Sequence, residues 1–223
     1  MARRLNHPYS LAYALFHAGL LHHWRREEEL AQERSQAALD IAGEHEFLVW
    51  RAVAACLHGA ALAGMGQAEE GLAQVLQGID SYQELNTPPV FWPLLILMQA
   101  EVYGLAGKPG PGLAVLDKAL EIFGSASDNI FSAEFYRLKG ELLLALSQEH
   151  APEAESWFHR ALKVAQKLQL PMLELRAAIS LSRLWKDQGK VEPARRLLSG
   201  AYEKFTEGFE TLDLREAKDF PSR

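Results

Sequence analysis

The chain has 223 residues, 48% of them hydrophobic and 23% charged, the balance of an ordinary folded domain. Its formal net charge of -6 excludes a global electrostatic pull toward nucleic acid or an anionic membrane. A single cysteine, Cys56, excludes an intramolecular disulfide and suits a reducing compartment.

In chain order, residues 1–7 read as an N-terminal tail: Arg3 and Arg4 precede no apolar core, so no secretion signal is expected. Apolar spacings of three and four then predict helices over 9–24, 28–43, 47–64, 68–85, 89–106, 110–123, 129–147, 152–168, 171–187 and 191–205. No segment alternates with the period of two that marks a strand. Thr87 before Pro88 reads as the N-cap of the fifth helix, with proline in the first turn. The most apolar run, Pro88 to Met98, is far shorter than the roughly 20 residues of a membrane-spanning helix. Between Arg51 and Lys108 there is no Lys or Arg, which argues against a groove that tracks phosphates. After a break at Thr206–Gly208, residues 212–218 predict a short amphipathic helix. Phe209, Leu212, Leu214 and Phe220 are expected to cover the last pair, with Arg215, Glu216 and Lys218 toward water.

Two markers repeat along this series. The first is a small residue inside each odd-numbered helix: Gly19, Gly59, Ala100, Gly140 and Ser182, with His22, Leu62, Tyr103, Leu143 and Trp185 three residues later. The second lies in each even-numbered helix and runs small, larger, small, apolar. It reads Ala31-Ser35-Ala38-Leu39, Gly71-Val75-Gly78-Ile79, Gly112-Leu116-Ala119-Leu120, Ala154-Phe158-Ala161-Leu162 and Ala194-Leu198-Ala201-Tyr202. Both markers recur with a period of 40 to 42 residues. Residues three and four apart share a helix face, and small ones there let two backbones approach closely. Gly66, Gly107 and Gly189 fall in the predicted turns, where a left-handed cap is expected. The unit is helix, short turn, helix, repeated five times. The organisation expected is a tail (1–7), a helical repeat domain (8–205) and a C-terminal capping segment (206–223).

Motifs that would carry chemistry are weak. Gly104-Leu105-Ala106-Gly107-Lys108-Pro109 resembles the end of a P-loop but has no Ser or Thr after the lysine and follows a helix rather than a strand. His17, His22 and His23 cluster without metal-ligand spacing. Cys56 lies in an apolar helix and reads as a core or groove residue rather than a nucleophile. Glu27-Glu28-Glu29 opens the second helix, where acids favour the positive end of the dipole. The expectation is a protein without catalytic residue, metal or cofactor.

Small-x-x-bulky in the first helix and Ala-x-x-x-Phe in the second, best seen in Ala154-x-x-x-Phe158-x-x-Ala161, resemble the tetratricopeptide repeat, although its usual period is 34. Four stretches carry a closer resemblance: Leu5-Asn6-His7-Pro8, Tyr136 to Leu143, Leu175-Arg176-Ala177-Ala178 and Phe205 to Phe209. They are similar to the C-terminal repeat region of large bacterial regulators. Those carry an AAA-type or signal-transduction ATPase module, often with a nucleotide cyclase or transcription-activator domain. The resemblance implies an all-α, right-handed superhelical solenoid of about five helix pairs with a capping helix. It also implies that the first helix of each pair lines a concave groove. By register the groove candidates are Tyr13, Phe16, His17, Leu20, Val53, Cys56, Leu94, Met98, Glu101, Glu134, Arg137, Glu141, Arg176 and Arg183.

The function expected is a cytoplasmic interaction or regulatory scaffold binding a peptide segment or a neighbouring protein domain, not nucleic acid or membrane. The alternative is an effector-sensing domain for a small molecule. Arg137 and Arg176 are expected to serve binding rather than folding. The first helix is rich in Leu11, Tyr13, Leu15, Phe16, Leu20 and Leu21, and a homodimer through the first helix pair is expected.

Overall fold

A computed structural model describes residues 7–123 and 129–220. The predicted tail apart from His7 lies outside them, as do Leu5-Asn6 and the last three residues of the capping segment. Among the described residues the chain is all-α, with no strand. Its helices are α1 (Pro8–Trp24), α2 (Glu28–Glu44), α3 (Leu48–Gly64), α4 (Ala68–Glu84), α5 (Trp92–Leu105), α6 (Pro109–Phe123), α7 (Ile130–Leu146), α8 (Ala151–Lys167), α9 (Pro171–Asp187), α10 (Val191–Tyr202) and α11 (Leu212–Lys218). They form two compact units, Met1–Lys108 and Pro109–Arg223, so the division falls inside the third predicted pair.

In the first unit α1 packs on α2 and α3 on α4; α3 also lies across both α1 and α2, and α5 across both α3 and α4. In the second unit α7 packs on α8 and α9 on α10; α9 lies across α8 and α7, and α11 closes on α9 and α10. The two sequence markers meet inside these pairs. A β-carbon on Gly59 would stand 2.6 Å from the carbonyl oxygen of Gly71, and one on Gly19 would stand 3.3 Å from that of Ala31. A β-carbon on Gly140 would enter the ring of Phe158. Where serine takes a marker position, its hydroxyl finds a backbone carbonyl: Ser35 Oγ donates to Ala31 at 2.8 Å within α2, and Ser182 Oγ donates across the pair to Ala194 of α10 at 3.1 Å.

One device closes most of the turns. Each places a single left-handed residue after the helix, at Arg26, Glu46, Gly66, Asn86, Gly107, Gln169 and Gly189. Around it the chain turns back on the helix end: Arg26 N–H donates to the His23 carbonyl and Glu27 N–H to the His22 carbonyl. The same pair of bonds recurs from Gly66 and Gln67, Gly107 and Lys108, Gln169 and Leu170, and Gly189 and Lys190. This is the Schellman arrangement, which satisfies carbonyls the helix would leave open.

Two expectations are corrected. The fifth helix starts at Trp92 with Phe91 as cap, not at 89 after Thr87. Pro89 disfavours helical backbone at Pro88, so the Pro-Pro step forms a turn, with Val90 N–H donating to the Pro88 carbonyl at 2.8 Å. The capping helix forms over the expected residues, but the face it buries is Asp213, Leu214 and Ala217, with Phe220 packed alongside. Leu212 and Phe209 are each 45% exposed. Leu212 and Leu214 are two residues apart, roughly 200° around a helix, and cannot share one face.

Candidate functional site: the first-helix faces

The register placed candidate binding residues on the first helix of each pair, and the structure sorts them into three groups. Phe16, Leu20, Val53, Cys56, Leu94 and Met98 are buried. They are core residues and present no surface to a partner, which corrects their assignment to a groove. Tyr13 is 50% exposed, His17 is half-buried beside it, and Arg183 is exposed. Glu101, Glu134, Arg137, Glu141 and Arg176 are intermediate and all engaged in ion pairs.

In the first unit the exposed positions gather into an aromatic surface built on Trp50 of α3. The ring of Trp50 is buried, with Tyr13 edge-on at 5.4 Å, Tyr9 edge-on at 5.8 Å and Phe91 at 5.7 Å. Tyr9, 49% exposed, also meets Phe47 at 5.2 Å, and His17 stacks on Tyr13 at 4.1 Å. The arrangement follows from helix geometry: Tyr9 and Tyr13 are one turn apart on α1, so both reach the same residue of the crossing helix. Each keeps a rigid ring partly in water, at little cost in side-chain order on binding. Register reading found Tyr13 and His17 but missed Tyr9, Phe47, Trp50 and Phe91. The available signal was the aromatic spacing Tyr9-x-x-x-Tyr13 against a single Trp on the following first helix.

A charged cluster lies at the other end of α1, in its last turn. His23 is buried, with Nδ1 3.1 Å from Glu28 and Nε2 3.3 Å from Glu101, joining α1 to α2 and α5. Burial alone would lower its pKa; hydrogen bonds to Glu101 and Glu28, then their charges, outweigh burial and raise it to about 10. The folded value lies above the ordinary 6.5, so the stabilisation is fully present below about pH 6.5 and is lost as pH rises through about 10. The melting temperature of the parent is therefore expected to fall between those limits. His23→Gln should start lower and fall less steeply; parallel profiles would contradict the cluster's role.

His58 is treated differently. Its Nδ1 lies 2.8 Å from the Gln74 carboxamide oxygen and its Nε2 3.2 Å from the Gln32 carboxamide nitrogen, so the ring bridges α3 to α4 and to α2. Burial pushes the Cys56 thiol up to about 12, which keeps it protonated and without nucleophilic character. Among the described residues no three His, Cys, Asp or Glu side chains converge as metal ligands, and no helix is long and apolar enough to cross a membrane.

In the second unit the charged candidates pair with each other and with the capping helix. Arg137 donates to Glu134 through Nε at 3.1 Å and lies 3.6 Å from Glu141, which accepts from the buried Ser180 hydroxyl at 2.5 Å. Arg176 donates from Nε to the buried carboxylate of Asp213 at 2.9 Å, and Arg183 pairs with Glu216. These contacts tie α9 to α7 on one side and to α11 on the other. A surface hollow lined by Gln166, Gln169, Pro171, Glu174 and Lys204, and one in the first unit between Gly66–Glu70 and Leu105–Ala106, include none of the groove candidates.

The chain matches no protein-family model and no curated protein.

Proposed function

We propose that the chain is a non-catalytic interaction module of tetratricopeptide-like helix pairs wound as a right-handed superhelix. It binds a peptide segment or a neighbouring protein domain across its first helices. The aromatic surface on Trp50 carries this reading: two half-exposed tyrosines seated on a buried indole are the kind of anchor that dominates protein interfaces. The resemblance to C-terminal repeat regions of bacterial regulators supports a place in signalling or transcriptional control, in the cytoplasm. The occupant that suits this surface is an apolar or aromatic segment, since no lysine or arginine lies between Arg51 and Lys108 to attract an acidic one.

Partner capture with the parent and a Tyr9→Ala/Tyr13→Ala variant tests the reading. Both tyrosines are half exposed, so the variant should keep the parent's circular dichroism and lose at least tenfold in retained partner, about 1.4 kcal/mol. Equal retention by both proteins would contradict it. A metabolite that stabilises the parent and leaves partner capture unchanged would favour the effector-sensing alternative instead.

A further inference from the structure

A second surface lies in the other unit, on α8, the second helix of its pair. Ser156, Arg160, Lys163 and Lys167 follow one another at spacings of four, three and four, so they fall in one line along the helix, and all four are exposed. Among the described residues α8 packs on α7, on α9 and on the turn at Gln148–His150. Arg160 is held in place although it is exposed. Its guanidinium lies 4.4 Å from the centre of the Tyr136 ring and 4.5 Å from that of Trp157, and Nη2 donates to the Tyr136 hydroxyl at 3.3 Å. The two rings pack on each other with centres 5.5 Å apart, and Lys139 Nζ lies over the same indole at 4.2 Å. The carboxylates that reach this cluster are engaged: Asp117 pairs with Lys139, and Glu153 accepts from Trp157 Nε1 at 3.3 Å. Among the described residues neither Arg160 nor Lys163 has a carboxylate oxygen within 4.0 Å.

We infer that this face of α8 binds an acidic peptide segment, whose carboxylates pair with Arg160 and Lys163. Charge selects the occupant, since two cations without a carboxylate stand side by side on one line of the helix. Shape agrees. A guanidinium laid against two rings keeps further N–H groups along its planar edge, the fork that matches a carboxylate. Because the rings already fix it, little side-chain freedom is lost when the pair forms. A nucleic-acid strand suits the site less well. It needs a bare aromatic face on which to stack bases, and here Lys139 and Arg160 both lie over the indole of Trp157. The net charge of -6 also opposes a long polyanion. The site is independent of the aromatic surface on Trp50: none of its residues belongs to that unit, and it takes charge where the other takes apolar groups.

Fluorescence anisotropy of the full chain with a blocked, fluorescein-labelled octaglutamate peptide tests this, with octaglutamine as the uncharged control. Octaglutamate should bind saturably and more weakly as salt is raised, and octaglutamine should not bind. Lys163→Gln, at an exposed position, should keep the parent's melting curve and weaken binding on the order of threefold. Arg160→Gln/Lys163→Gln should weaken it by roughly tenfold or more. Lys186→Gln/Arg196→Gln removes two exposed cations elsewhere in the same unit and should bind as the parent does. Tyr9→Ala/Tyr13→Ala should do the same, which separates this surface from the proposed partner site. No binding of octaglutamate by the parent, or equal losses in the Arg160/Lys163 and Lys186/Arg196 variants, would overturn the inference. So would labelled oligothymidine that binds more tightly than octaglutamate and is lost in the Arg160/Lys163 variant.

Discussion

Gly59→Leu is expected to cost about 3 kcal/mol or more and to lower the melting temperature of the first unit by about 10 °C or more. The reason is backbone contact. Gly59 and Gly71 face each other where α3 crosses α4, and even a β-carbon at 59 would lie 2.6 Å from the Gly71 carbonyl oxygen and 3.0 Å from Val75. A flexible side chain could swing away from such a clash, but a carbonyl held in a helix cannot, so the two helices must separate along their whole contact. That contact belongs to the core, with Leu57, Leu62, Leu72, Val75 and Ile79 buried around it, so separation opens space there as well. Gly43→Ala is the control. It removes the entropic cost of a helical glycine at a position where a β-carbon meets nothing within 4 Å, and it should leave stability unchanged or slightly higher. Thermal unfolding followed at 222 nm separates the outcomes. A Gly59→Leu protein that melts with the parent would mean that α3 and α4 do not cross at these residues.

The second large effect is expected at Arg176. The sequence pointed to Arg137 and Arg176 as binding residues, but in the structure Arg176 is only 14% exposed and donates to Asp213, a buried carboxylate of the capping helix itself. Arg176→Ala removes the guanidinium, and with it the bond to Asp213 and the approach to Glu134 at 4.0 Å. Breaking a buried pair from one side costs about 3 kcal/mol. Two further single variants, Arg176→Met and Asp213→Leu, and their combination separate pairing from packing. Asp213→Leu combined with Arg176→Met replaces both charges with apolar groups of similar size and should recover most of the loss. Denaturant unfolding of the parent, both single variants and the double variant gives the coupling directly. A single Arg176→Ala variant as stable as the parent would assign the arginine to surface chemistry, as its sequence position suggested.

The contrast between these two positions shows how much could be read from residues alone. Helix positions followed from spacing because each pair is held by small residues at fixed offsets. A glycine in mid-helix is costly unless a neighbouring backbone needs the room, so Gly59 and Gly71 marked the crossing of α3 and α4. Gly66, Gly107 and Gly189 announced their turns. Arg26, Glu46, Asn86 and Gln169 adopt the same left-handed conformation without glycine. The cost of roughly 1–2 kcal/mol at each is offset by the bonds the turn makes, and nothing in the residue type reveals it.

The site was legible only in part. A three-and-four spacing shows that Phe16, Leu20, Val53, Leu94 and Met98 share a face with Tyr13 or its equivalents. It does not show how much of that face its packed neighbours bury, and here all five residues are buried. Tyr9 and Tyr13 stay exposed because they sit beside Trp50 near the start of α1 rather than under it. The pairings of His23 with Glu101 and of Arg176 with Asp213 join residues far apart in sequence, and such partners are fixed by the fold rather than by any local pattern.

The central claim, that the aromatic surface on Trp50 is where a protein partner binds, is tested most directly by site-specific photo-crosslinking. A photoreactive amino acid replaces Tyr13 in one protein and the exposed Ile122 in another, and both are irradiated in extract from the source cells. The expected result is a discrete protein adduct from position 13, competed away by excess unlabelled parent and absent from position 122. No adduct at position 13, or the same adducts at both positions, would contradict it.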